Sequence, residues 1–139
     1  MILRLAHLTP AYFSPDSVIG GGERYVYNLT RAIAGVASDR FEQSVFTLGK
    51  EYGLFLHDGI PVRVLPNENP AGSFLDGMSA DFWRELATFD ILHVHQSLAG
   101  FGVYCTAVGR ALRKTLVLTD LGGGESPLMG YGGGLRLAD

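Results

Sequence analysis

Ile2-Leu3-Arg4-Leu5-Ala6-His7-Leu8, closed by Thr9-Pro10, is short and apolar and reads as a buried strand. A loop follows from Pro10 to Gly20, carrying Pro15 and Asp16. Gly20-Gly21-Gly22-Glu23 then opens a stretch that reads as a helix over residues 22–33. Val26, Leu29, Ile33 and Val36 recur at spacings of three, four and three, one face of a helix. Glu23 falls in the first turn, where the helix dipole favours a carboxylate. Gly35 is a stop signal. A buried strand, a glycine-bearing loop and a helix, in that order, form the opening unit of an α/β fold.

The same alternation continues outward. Ser44 to Leu48 reads as a second strand, ended by Gly49, and Val62 to Leu65 as a third, between Pro61 and Pro66. Residues 67–78 are loop-like, with Pro70, Gly72 and Gly77. Ser79 can cap a helix running to about Thr88, with Phe82, Leu86 and Phe89 as its apolar face. Ile91-Leu92-His93-Val94-His95 is a fourth strand. Leu98, Phe101, Cys105, Val108 and Leu112 mark a second amphipathic helix. Thr115 to Thr119 is a fifth strand, opening onto Asp120-Leu121-Gly122-Gly123-Gly124. This order predicts one domain over residues 1–139, a mainly parallel sheet with helices on both faces. Its ligand crevice should lie at the carboxyl ends of the strands.

Composition narrows the function classes. Apolar residues make up 47% of the 139 residues and charged residues 18%, enough for a real core. The net charge of −3 offers no broad attraction to nucleic acid or an anionic membrane. The single cysteine, Cys105, forms no intrachain disulfide and reads as core. No apolar run approaches the ~20 residues of a membrane span, and the N-terminus lacks a signal-peptide pattern. The expectation is a soluble, cytoplasmic protein. Nineteen glycines is about twice the usual ~7% share. They cluster at 20–22 and again over 122–134, both times after a strand.

Gly20, Gly21 and Gly22 at a helix start suit phosphate, because glycine admits close approach and the helix end presents free N–H groups. The dinucleotide fingerprint fails, since position 25 holds Tyr25, and no Walker A pattern follows. His93 and His95, two apart on a strand, share a face. The pair alone offers two metal ligands with no third evident nearby, so no metal is expected. His93 reads as core. His95 lies at the strand's carboxyl end, beside the polar Gln96 and Ser97. Asp120 ends the fifth strand and can accept a hydrogen bond from a sugar hydroxyl, serve as a base, or cap a turn. The second glycine cluster, with Glu125, Ser126 and Tyr131, reads as a loop over the crevice; Ser126 lacks the second glycine of a nucleophile elbow.

Three pieces together resemble the N-terminal domain of family-4 retaining glycosyltransferases. They are Thr9-Pro10-x-Tyr12-x-x-Pro15 leading to Gly20-Gly21-x-Glu23-Arg24 and Tyr27-Asn28-Leu29; Phe89-Asp90-Ile91-Leu92-His93-Val94-His95; and Val117-Leu118-Thr119-x-x-Gly122. The family has the GT-B fold, two Rossmann-like domains facing across a cleft. The resemblance implies that this chain is the incomplete N-terminal half, without the domain that grips the nucleotide. It implies that the loop of Gly20, Gly21, Gly22 and Glu23 faces the donor diphosphate, and that His95 contacts the transferred sugar. The acceptor then lies on the loops after the first, fourth and fifth strands, which carry Tyr12, Gln96, Asp120 and Gly122. The nucleotide-sugar is a co-substrate, with no cofactor and usually no required metal.

One position departs from the family pattern. Where the family often shows Thr-x-His-Gly, the histidine position holds Leu121. The resemblance implies transfer of a sugar with retention of configuration by the intact protein, and an inactive, self-associating fragment. The rival reading from the residues is a non-catalytic α/β module that binds a glycan or a protein.

Overall fold

The computed structural model describes residues 1–13, 20–69 and 74–121. Pro15, Asp16, Pro70, Gly72, the 122–134 glycine cluster with Gly122, and the tail at 135–139 lie outside the described residues. The chain is a Rossmann-like α/β unit. In order it runs β1 (Leu3–Leu8), α1 (Gly21–Ala37), β2 (Phe41–Gly49), β3 (Gly53–His57), β4 (Ile60–Pro66), α2 (Asp81–Glu85), β5 (Ile91–His95), α3 (Gly100–Ala111) and β6 (Thr115–Thr119). Short 3-10 turns at Phe74–Asp76 and Leu86–Thr88 flank α2.

Among the described residues six strands form one sheet, ordered β3-β4-β2-β1-β5-β6. All pairings are parallel except β3 with β4. β1 sits between β2 and β5, so the chain builds one side of the sheet first and then crosses to the other. That reversal at β1 and β5 is the switch point where open α/β sheets keep their crevice.

Alternation along the strands sorts the core into two layers. Ala6, Leu8, Phe46, Leu48, Leu92 and Val94 face α2 and α3, where they pack with Phe82, Leu86, Phe101, Cys105 and Val108. Val45 and Val62 face the other way and pack with Val26 of α1 and with Tyr12.

Several local expectations needed correction. Helix α1 runs straight through Gly35, because an exposed helix interior tolerates glycine at modest cost. Val36 is 85% exposed, so it lies off the buried face, which uses Glu23, Val26 and Thr30. The helix expected from Ser79 to Thr88 is one α turn followed by a 3-10 turn, with Ala80 rather than Ser79 at its cap. Leu98 precedes α3 and is 39% exposed. The sheet also has a strand that the alternation of strands and helices did not suggest: β3, a hairpin partner of β4. Its turn is Asp58-Gly59, with φ of 49° and 80°, the left-handed pair that a two-residue hairpin needs.

Among the described residues β6 is an outer strand, and Val117 and Leu118 are 43% and 52% exposed there. Unpaired edges of this kind template further pairing. The 139-residue chain should therefore self-associate, and Leu118→Lys should shift it toward monomer in sedimentation velocity. A monomer at every concentration for the unaltered chain would count against an active edge. Among the described residues no helix is long and apolar enough to cross a membrane.

Candidate functional site

A cleft of about 340 Å³ opens at the switch point. Thr9, Pro10 and Ala11, which follow β1, line one side. Gly20, Gly21, Gly22 and Glu23, at the start of α1, line another, and Gln96, which follows β5, completes it. The glycines expected to meet a ligand are thus brought together with Gln96 at the carboxyl ends of two neighbouring strands.

The glycine loop is held by its own helix. The Gly20 N–H donates to Glu23 Oε2 at 2.9 Å, half of a capping box. The first helical turn leaves the N–H groups of Gly21, Gly22 and Glu23 outside the intrahelical ladder. Glu23 is 7% exposed, with Oε2 engaged by the Gly20 N–H. Its placement suits holding the loop better than touching an anion. A Cβ on Gly21 would meet nothing within 4 Å, and one on Gly22 would meet Gln96 Nε2 at 3.6 Å. Gln96 itself has φ of 58°, an uncommon conformation for a residue with a side chain. The turn is secured by Ser97 N–H to Thr119 O (3.2 Å) and Ala99 N–H to Gln96 O (3.0 Å).

The sequence puts His95 at the carboxyl end of β5, where the crevice was expected. The structure places its ring at 0% exposure. The period-two alternation that sends Leu92 and Val94 toward α3 sends His93 and His95 beneath α1. Tyr25 of α1 meets the His95 ring edge-on, with centroids 5.9 Å apart. His95 does not line the cleft, although its chain neighbour Gln96 does.

Under α1 the two β5 histidines meet a third from β1. His7 and His93 are direct register partners across the parallel pair. His7 Nδ1 lies 3.3 Å from His95 Nε2, and the His93 and His95 ring centroids are 4.1 Å apart. His7 Nε2 is 3.0 Å from Gln43 Oε1 on β2, and the Gln43 amide nitrogen donates to Thr30 O at 3.0 Å. His93 Nε2 is 2.7 Å from Thr119 Oγ1 on β6. Among the described residues His95 Nδ1 is buried without a hydrogen-bond partner. Burial lowers the His7 pKa to about 4, against the Gln43 hydrogen bond, with the charge of a protonated His93 adding to the fall. Burial, then the neighbouring His93 and His7, lowers His95 to about 2. Burial lowers His93 as well. All three rings are neutral at pH 7.

The expected acceptor residues separate. Gln96 lines the cleft. Tyr12 does not: it is 0% exposed, packed edge-on to Phe13 at 5.2 Å, with its hydroxyl 3.2 Å from His57 Nδ1. Burial raises the Tyr12 pKa to about 12. Asp120 is exposed just past β6 and is not among the cleft-lining residues. Gly122 lies outside the described residues.

Sequence reasoning missed Ala11 as a cleft residue, and missed His7 and Gln43 altogether. Thr9-Pro10 marked the end of β1 but not a cleft wall. A histidine in phase with Leu5 on the first strand was the available signal for His7. Its partners are invisible without the strand order. No family model, no curated protein and no solved structure matches the chain.

Proposed function

We propose that this domain is the acceptor-side half of a GT-B retaining glycosyltransferase that uses a nucleotide-sugar. The observation that carries the reading is the glycine turn at the start of α1, open to a cleft at the switch point of the sheet. Backbone N–H groups and the positive end of the helix dipole suit a diphosphate. In the reaction the bond from the anomeric carbon to the diphosphate oxygen breaks, a bond to an acceptor oxygen forms on the same face, and the acceptor hydroxyl's proton passes to the departing diphosphate. Negative charge grows on the departing diphosphate, where a fixed N–H turn stabilises it most. The second domain of the intact enzyme supplies the nucleotide grip.

In this reading Gln96 and the Thr9–Ala11 wall meet the sugars, and Asp120 flanks the acceptor path. His95 meets the transferred sugar, as the resemblance implies, once the half-exposed Tyr25 ring swings off it.

The test is Gly21→Ala in the protein that carries both halves. The added methyl meets open space here, and alanine favours the helix by up to about 1 kcal/mol. Thermal stability should hold or rise. Turnover should drop roughly 10- to 100-fold, because the methyl intrudes where the diphosphate must approach. Unchanged turnover would remove the glycine turn from the donor site. A protein with both halves that transfers sugar from no nucleotide-sugar of a broad panel would end the transferase reading.

A further inference from the structure

Three histidines are gathered beneath α1 from strands far apart in the chain, and each offers a ring nitrogen within 4.8 Å of the others. Two of the three rings are held from behind. The Gln43 amide nitrogen is committed to Thr30 O, so its oxygen faces His7 Nε2 and accepts that proton. His7 Nδ1 is therefore a lone pair. Thr119 Oγ1 can accept the Nε2 proton of His93 in the same manner and leave its Nδ1 free to coordinate. Oxygen partners on the far nitrogen are how metal-bound histidines are oriented and made more basic. The 3.3 Å between His7 Nδ1 and His95 Nε2 also equals the gap between two nitrogens on one tetrahedral zinc, about 3.3 Å for Zn–N bonds near 2.0 Å.

We propose that His7, His93 and His95 form a three-histidine site for a single divalent transition cation, with zinc as its natural occupant. The ligand set selects the metal class. Neutral imidazoles suit zinc, copper and nickel, whereas magnesium and calcium need oxygen donors. Cys105, the one thiol, lies in the opposite core layer and takes no part. Three nitrogens leave a fourth position for water or another small ligand. No carboxylate joins the cluster among the described residues, so both charges of the cation stay largely uncompensated and binding should be weaker than at a thiolate site. Coordination through Nε2 fixes the His95 proton on Nδ1, the nitrogen that has no hydrogen-bond partner among the described residues. The site does not depend on the glycosyl-transfer reading, since it is measured as metal content.

The experiment strips the 139-residue chain with a chelator, adds zinc alone, and measures retained metal by elemental analysis after dialysis. One equivalent per chain is expected. His7→Gln, His93→Gln and His95→Gln should each abolish retention, while His57→Gln, at the remaining histidine, should keep the full equivalent. Thr119→Val should weaken zinc roughly 10- to 100-fold by removing the partner of His93. Circular dichroism reports whether each variant folds. Should the buried substitutions unfold the chain, cobalt(II) in the unaltered protein decides instead. Intense visible bands of a tetrahedral ion support the site, and a weak octahedral spectrum overturns it. Zinc absent from the unaltered chain, or retained equally by folded variants of all three histidines, also overturns it.

Discussion

Gly102→Ala should destabilise the domain by about 1–3 kcal/mol or more, the usual range for forcing a methyl into packed structure. A Cβ at position 102 would run into the carbonyl oxygen of Gln96 and lie 2.6 Å from Ser97 Cα. Both neighbours are backbone, so neither can rotate away. The turn they belong to is already constrained by the left-handed Gln96 and by the bond from Ser97 to β6. Relief must come from lifting α3 off the sheet, where it buries Phe101, Cys105 and Val108. Urea unfolding checks this directly, with a lower midpoint and an unchanged slope expected. Gly35→Ala is the internal contrast. That position is exposed, helical and open within 4 Å, so the same substitution should stabilise by about 0.5–1 kcal/mol. Equal effects at the two positions would show that backbone crowding at Gly102 is not what matters.

The second large effect is acid sensitivity of the metal-free chain. In the unfolded chain His7 and His95 take up protons near pH 6.5, but in the fold only near pH 4 and pH 2. Between those values the unfolded chain binds more protons, so stability falls as the pH is lowered through 6.5. Above that point both states are neutral and the contribution is flat. Each ring is worth at most about 1.4 kcal/mol per pH unit, so the pair should remove on the order of 2–3 kcal/mol between pH 6 and pH 5. Ordinary carboxylates titrate lower and contribute little in that window. Urea unfolding of chelator-treated protein at half-unit steps measures the slope. A flat profile from pH 6.5 to 5 would mean that the rings are hydrated rather than buried. Imidazole proton shifts in NMR should likewise show no His7 titration until near pH 4.

Much of this architecture was legible along the chain, because strand and helix periods are local properties. The run Ile91 to His95 reads as a strand whose alternate residues separate onto two faces, and the structure keeps that separation: Leu92 and Val94 in one core layer, His93 and His95 under α1. The glycine turn before α1 was readable for the same reason, since a helix start and its loop are neighbours in sequence. The hairpin at Asp58-Gly59 was also written locally, as a dipeptide suited to left-handed backbone, although the alternation of strands and helices drew attention away from it.

What the chain alone left open is whatever depends on strand order. Tyr12 follows β1 by a few residues, and the resemblance placed it among the acceptor contacts. Its ring instead packs against Phe13 and His57, at the end of an edge strand that only the fold brings beside it. His95 is polar and at a strand end, yet the helix laid across that face covers it. The His7–His95 contact spans 88 positions. Local pattern set the face on which each histidine sits. Only the pairing of β1 with β5, a long-range choice made by the whole core, decided that three of them would meet.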